Sequence, residues 1–329
     1  MAYIRVNNLN KTYDQFPVLQ GITFDIQKGK ITAIAGASGS GKTTLLKAIY
    51  GLISAEYGTV FIDEEKVPGP EDKLIPGHDQ MKLIDQQFEL NWHASVWDNV
   101  SSRLPNTDLT VKNFRTEKLL HRLRISHLKD KKVNDLSGGE KQRVSIARAL
   151  ADYPDVLLMD EPFNQLDSSF REFLQQDIRN YVRETGLTVV LVSHDPAEVL
   201  SLADELIIIQ NGKILEKGDP KKLYRSPQNM HTAQLLGNGN ILNTYAAGQC
   251  GVRTQSEFIM AYPEWIAAGK SFWGGKTFLV KEVLFKGFYE ELLVEKDDVQ
   301  LRVLNRKPGA YKHGDTVDIS IKKYAEMAG

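Results

Sequence analysis

The stretch Ala33–Leu46, A-I-A-G-A-S-G-S-G-K-T-T-L-L, constrains this chain more than any other. Gly36 to Thr43 satisfies G-x-x-x-x-G-K-[ST], a phosphate-binding loop. Ile31 to Ala35 before it is a short apolar run that reads as a buried strand. Thr44 to Gly51 after it reads as a helix, with Leu45, Leu46 and Ile49 on one face. Glycines 36, 39 and 41 let the backbone curl so that successive N–H groups aim at one anion, and the following helix adds its positive end. Lys42 is then expected to reach the β- and γ-phosphates of a nucleotide, and the Thr43 hydroxyl to hold magnesium.

The rest of the composition is that of an ordinary globular chain. Its 329 residues suggest two domains, and 42 % apolar residues are enough for sizeable cores. A net charge of −1 gives no overall pull toward nucleic acid or anionic lipid. Cys250 is the single cysteine, which rules out a disulfide framework and a thiolate metal site. The N-terminal ten residues have no long apolar core, so no secretory signal is expected. No run approaches the ~18 apolar residues of a membrane span.

Taken in order, Tyr3–Val6 and Gly21–Ile26 read as strands, with Tyr13 at a strand edge where an exposed ring has room to stack on a purine or else to be partly buried structure. Gly58–Ile62 and Met81–Asp85 are further strands, separated by a Pro-, Gly- and charge-rich surface loop. Gln86 and Gln87 end the second of these, placed to reach a ligand crevice or to form a surface turn. Residues 88–135 read as a small helical insert whose Trp92 and Trp97 form either its core or an exposed docking patch, with at least one expected in the core. Leu136–Arg143, L-S-G-G-E-K-Q-R, follows; Ser137, Gly138 and Gly139 at a helix start offer a capping hydroxyl and bare N–H groups to an anion. Val156–Met159 is a fully apolar strand followed by Asp160 and Glu161. Carboxylates at the end of a buried strand are costly unless employed. Asp160 suits a water-mediated magnesium contact, and Glu161 suits the orientation of an attacking water as general base. Asn164–Asp167 turns into a helix over Ser168–Thr185, and the strand Thr188–Val192 ends in Ser193-His194-Asp195. A hairpin is expected at Asn211-Gly212, helices over Pro220–Tyr224 and Met230–Leu236, and a linker at Gly237–Asn240. Beyond it, runs at Thr277–Val283, Glu291–Glu295, Val299–Leu304 and Thr316–Ile321 indicate a small all-β unit.

These elements together resemble the ATP-binding cassette (ABC) ATPases over residues 1 to about 237. Tyr13 stands where that family has its aromatic A-loop, Gln86 its Q-loop, L-S-G-G-E-K-Q-R its signature, Asp167 its D-loop and His194 its H-loop. Gln86 is preferred to Gln87 by counting back from V-W-D-N-V, Val96–Val100. The resemblance implies an α/β fold: a RecA-like P-loop core carrying a helical insert (about 88–150) and an antiparallel β part. The domains are then expected at 1–237 and 238–329, the second small, all-β and oligonucleotide-fold-like. G-D-P-K-K-L-Y-R-S-P-Q-N resembles the lead into the transport-associated domain of importer cassettes. M-A-Y-P-E-W-I resembles one of that domain's elements, with Tyr262 where arginine is usual.

The same resemblance implies ATP and Mg²⁺ as cofactors. ATP would lie against Tyr13, the loop residues Gly36, Ala37, Ser38, Gly39, Ser40, Gly41, Lys42, Thr43 and Thr44, and Asp167. Ser137, Gly138 and Gly139 of a second cassette would complete the site in a head-to-tail homodimer. Thr43, Gln86 and Asp160 would hold the metal; Glu161, His194, Gln86 and Lys42 would carry the catalysis. The expected role is the ATPase subunit of an importer at the cytoplasmic face of the cell membrane. A permease would dock near residues 88–104, with Trp92 and Trp97 as groove candidates, and a solute-binding protein is a possible further partner. The alternatives are the ATPase of an exporter or lipid-handling complex, and a soluble cassette working on nucleic acid or ribosomes. From residue 240 on there are 12 Lys+Arg against 11 Asp+Glu, so no basic groove and no direct nucleic-acid contact are expected.

Overall fold

A computed structural model describes residues 2–73, 76–85, 89–269 and 276–327. Two compact units divide at Pro220. The chain opens with two long antiparallel strands, β1 (Ala2–Tyr13) and β2 (Phe16–Gln27), then β3 (Ile31–Ala35), α1 (Lys42–Tyr50), β4 (Tyr57–Ile62), the short β5 (Glu65–Lys66) and β6 (Met81–Ile84). The insert follows as α2 (Val96–Ser101) and α3 (Leu109–Arg122), and α4 (Gly138–Ala151) leads back to β7 (Val156–Asp160). Next come α5 (Ser168–Thr185), β8 (Thr188–Ser193), α6 (Pro196–Leu202) and the hairpin of β9 (Glu205–Gln210) and β10 (Lys213–Gly218).

The strands of the first unit form two sheets. One runs β2-β1-β4-β5 and is antiparallel; the other runs β10-β9-β3-β8-β7-β6 and is parallel except at its β10 edge. Every residue of β3, β7 and β8 is buried, which is why these strands read as unbroken apolar runs rather than alternating ones. One core joins both sheets through Leu45, Leu46 and Ile49 of α1. Parallel strands carry their C-terminal ends to one edge, and that is where an open α/β sheet presents ligands. In register, Ala35 lies beside Ser193 and Asp160 beside Val192, so the phosphate loop, Asp160-Glu161 and Ser193-His194 share that edge.

The insert differs from expectation at its tryptophans. Neither is buried: Trp92 is 40 % exposed with the Lys141 ammonium over its ring, and Trp97 is half-buried. Helical register puts Val96, Asn99 and Val100 inward instead, while Leu119, Leu120, Leu123 and Ile125 pack as expected. Asn99 is buried and ties its own helix to the preceding turn, accepting from the Asn91 N–H and donating to the carbonyls of Asn91 and Ser95. Ser137 and Glu140 form a reciprocal capping box that starts α4 at Gly138.

In the second unit, α7 (Pro220–Arg225) and α8 (Met230–Gly237) precede β11 (Asn240–Asn243), α9 (Thr244–Gln249), β12 (Phe258–Ala261) and β13 (Ile266–Gly269). The four strands read from sequence are β14 (Lys276–Phe285), β15 (Glu290–Lys296), β16 (Val299–Asn305) and β17 (Thr316–Ile321), and β18 (Ala325–Met327) closes the described chain. The order β13-β17-β14-β15-β16 is wholly antiparallel, and its two outer strands approach one another. A smaller sheet runs β11-β12-β18. Residues 221–237, grouped with the cassette by sequence, lie within this unit. The reason is packing: Tyr224, Ala233 and Met230 surround Tyr262 and Met260. Tyr262 is fully buried, stacked on Tyr224 at 4.4 Å and edge-on to Trp265 at 4.7 Å. Gly237–Asn240 is no open linker: Asn238 takes a left-handed conformation that caps α8, and Asn240 already pairs with Ala261.

Candidate functional site

The phosphate loop closes between β3 and α1 because two of its glycines are irreplaceable there. Gly41, the N-cap of α1, sits at φ 100, and a Cβ on Gly36 would lie 2.2 Å from the Ile209 carbonyl oxygen. Within the loop the Lys42 ammonium folds back and donates to the carbonyls of Gly36 (3.0 Å) and Ala37 (2.9 Å). Burial pushes its pKa below the usual lysine value, while the Glu161 and Asp160 carboxylates pull the other way. Ser40 is buried, and its N–H donates to the Ala37 carbonyl.

Thr43, the second residue of α1, donates its hydroxyl to Asp160 Oδ1 at 3.1 Å. Asp160 is almost wholly buried, and its Oδ2 has no hydrogen-bond partner. Burial raises the pKa of this carboxyl, against the lowering effect of the Thr43 bond. One residue on, Glu161 stands at φ 49. Its Oε1 lies 2.9 Å from His194 Nδ1, and its Oε2 accepts from the Asn164 amide. Both carboxylate oxygens are therefore engaged, one by a residue that sequence reasoning named and one, Asn164, that it did not.

These groups surround a cavity of about 640 Å³. Ser38, Gly39, Gly41, Lys42, Thr43 and Thr44 supply one wall, Tyr13 and Val18 another, and Glu161 and His194 a third. Tyr13 ends β1 and is 45 % exposed, with the Lys11 ammonium 5.2 Å from its ring centre. Ser137, Gly138, Gly139 and Asp167 do not line this cavity. Ser137 is exposed at the start of α4. Asp167 caps α5, accepting from the Phe170 N–H at 3.0 Å. Gln165 and Leu166 pack so closely on the signature glycines that a Cβ on Gly138 would meet Gln165 Oε1 at 2.5 Å. Gln86 lies outside the described residues.

Behind His194 a second group of charges holds β8 to α6. Ser193 donates its hydroxyl to the buried Glu198 (2.5 Å), and the Asp195 N–H donates to that hydroxyl (3.0 Å). Arg171 of α5 binds Asp195 at 2.9 Å and Glu198 at 3.4 Å. This network fixes the backbone on both sides of His194 while leaving its ring half exposed.

The donor set fits magnesium. Among the described residues no group of three or more His, Cys, Asp or Glu side chains converges as a metal cage. A hydroxyl and one carboxylate with a vacant lone pair, beside a phosphate loop, are the few protein ligands magnesium takes when phosphates and water supply the rest. Asp160→Asn removes the buried charge, so the variant without ligand is expected to melt higher than the wild type by roughly 2–4 °C per kcal/mol relieved. The same variant should lose the additional stabilisation that Mg²⁺ brings to the nucleotide-bound protein. Thermal melts with ADP, with and without Mg²⁺, check both; an undiminished Mg²⁺ effect would remove Asp160 from the metal site.

Residues 19–164 match the ABC transporter family model. The chain is 32 % identical to the spermidine/putrescine import ATP-binding protein PotA of Mesoplasma florum, over 96 % of this chain and 94 % of that protein. It is 36 % identical to the Fe(3+) ions import ATP-binding protein FbpC of Haemophilus influenzae, over 73 % of this chain and 69 % of the relative. Among solved structures, cbiO1 from Clostridium perfringens, part of the ABC transporter complex cbiONQ, superposes with a TM-score of 0.61 at 30 % identity, covering 68 % of this chain and 91 % of that one. A dimeric ATP-binding cassette in a post-hydrolysis state, bound to ADP and Pi, superposes with a TM-score of 0.59 at 28 % identity, covering 66 % and 98 %.

Proposed function

The chain belongs to the ATP-binding cassette ATPases of ABC transporters, and from that premise we propose that it is the ATP-hydrolysing subunit of an importer, working on a separate membrane permease. The observation that carries this reading is the cavity at the strand ends, where Lys42, the Thr43–Asp160 pair, Glu161 and His194 converge on one phosphate loop. Import is supported by the names of relatives that match from end to end.

In this reading, ATP lies with its phosphates on the backbone of Gly36–Thr44 and its base on the Tyr13 ring. Lys42 exchanges the carbonyls of Gly36 and Ala37 for phosphate oxygens, which keeps its charge paired inside the site. Thr43, Asp160 and Gln86 would hold Mg²⁺, which would supply stabilisation of the negative charge that develops on the phosphates. Glu161 orients the attacking water and takes its proton. His194 leaves its contact with Glu161 to hold the γ-phosphate, which frees the carboxylate for that task. Phosphoryl transfer asks the protein chiefly for positioning and charge stabilisation, and these residues supply both.

The signature of a second chain would complete each site. Ser137 is exposed and its helix start points no donor into its own chain's cavity, which suits a contact in trans. Two cassettes closing on two ATP molecules would then reopen after hydrolysis, a population shift driven by the nucleotide. The permease would feel that motion through residues 88–104, where exposed Trp92 and half-buried Trp97 offer an apolar contact. The second unit, an antiparallel sheet curling toward a barrel, fits a transport-associated domain. No helix among the described residues is long and apolar enough to cross a membrane; in this reading the permease attaches the chain to the membrane.

A tagged chain isolated from mildly solubilised native membranes tests this reading. An integral permease together with a solute-binding protein is expected, and spermidine and putrescine are the first solutes to assay for uptake, since the end-to-end relatives are named for them. Recovery of ribosomal proteins or nucleic acid without any permease would overturn it.

A further inference from the structure

The first unit has a second concavity, about 530 Å³, away from the nucleotide cavity. It lies where α3 of the insert faces the last turns of α5 and the loop after α4. Its apolar walls are aromatic: Phe114 from α3, Tyr153 from the loop and Tyr181 from α5. Phe114 and Tyr153 are 67 % and 66 % exposed, large rings that reach into water. A concavity of this size with aromatic walls and a few fixed charges is the form small-molecule sites take.

The charges do not balance within the fold. Arg115 is only 8 % exposed, yet among the described residues no carboxylate comes within ion-pair distance of it. Its Nη2 donates to the Leu150 carbonyl at 3.0 Å, and its Nε is buried without a partner. Its guanidinium lies over the Tyr153 ring. A carbonyl and a ring face lower the cost of burying that cation but do not neutralise it. Asp152, the carboxylate whose field reaches Arg115, is already shared by Lys82 (2.9 Å) and Arg103 (2.6 Å). Burial pushes the Arg115 pKa down to about 10. The neighbouring Arg122 differs: it is paired with Glu184 and sits 4.9 Å from the Tyr181 ring centre. Lys118, one turn from Arg115 and exposed, forms no ion pair among the described residues. Asp155 also borders the cavity, where its charge acts on Tyr3.

We propose that this cavity binds a small aromatic anion, its ring against Phe114, Tyr153 and Tyr181 and its anionic group on Arg115 and Lys118. The ligand supplies the counter-charge that the fold withholds, and its ring covers aromatic surface otherwise left in water. Arg122 and Glu184, already paired, form the rim and set no charge preference.

The test is calorimetric titration of the full chain with 2-naphthoate, with saturating MgADP present to keep the probe from the nucleotide cavity. The uncharged 2-naphthamide serves as the control. Saturable binding at one site per chain is expected, at least tenfold tighter for the acid than for the amide. Arg115→Met should abolish that preference, and Phe114→Ala should weaken both compounds. Should Arg115→Met not fold, Lys118→Ala, an exposed position, should reduce the preference for the acid severalfold. Absence of saturable binding, equal binding of acid and amide, or binding indifferent to these substitutions would overturn the proposal.

Discussion

Glu161→Gln is expected to bind ATP about as tightly as the wild type and to hydrolyse it roughly 10²–10⁴-fold more slowly, the range that positioned general bases contribute. The reason lies in what the substitution keeps. Glutamine is nearly isosteric, and its carbonyl oxygen and amide can still meet Asn164 and His194 at the positions the carboxylate occupies. The strand end and its strained φ of 49 are unchanged. What is lost is a group able to take a proton from water. Phosphate release under saturating MgATP measures the rate, and nucleotide binding measured on the same protein shows that the cavity survived. Turnover near that of the wild type would remove Glu161 from the role of base.

Lys42→Ala is expected to weaken nucleotide binding instead. Each charge-assisted hydrogen bond contributes about 1.5–3 kcal/mol, so the loss of one corresponds to roughly 10- to 100-fold in Kd. The loop's geometry holds the lysine ready. Its ammonium spans two loop carbonyls and can be handed to phosphate without leaving the loop. Titration calorimetry with MgADP reads the effect, and unchanged affinity would count against the phosphate-loop assignment. The two variants thus separate binding from chemistry: one should lose affinity, the other rate.

Much of this site was legible in the sequence because its residues sit at places that local chemistry marks. Fully buried parallel strands read as apolar runs, so Asp160-Glu161 and Ser193-His194 stand out as polar groups at their ends. The glycines of the phosphate loop stand out for the opposite reason, since only glycine fits against Ile209 or at φ 100. What the sequence concealed depends on long-range packing. Nothing local tells that Arg171 reaches from α5 to Asp195 and Glu198, and the Asn164 amide on Glu161 is marked by turn spacing alone. The spacing of Asn164, three residues beyond Glu161 in a tight turn, was the one available hint.

The errors have similar causes. By residue type at least one tryptophan of the insert is expected in its core, but Val96, Asn99 and Val100 take that place. In the second unit, β11, β12, β13 and β18 are only three or four residues long and escaped notice, whereas the longer alternating strands did not. Tyr262 stands where the resembled element carries arginine. It is a buried ring between Tyr224 and Trp265, and it draws the two helices after Pro220 into the second unit.

In the proposed function one chain holds an incomplete ATP site that a second chain's signature completes. Sedimentation velocity of Glu161→Gln with and without MgATP tests it most directly, because the variant should hold ATP without consuming it. A shift from one-chain to two-chain mass is expected on adding MgATP, abolished by altering the signature with Ser137→Arg. Bound ATP with the mass remaining that of a single chain would contradict it.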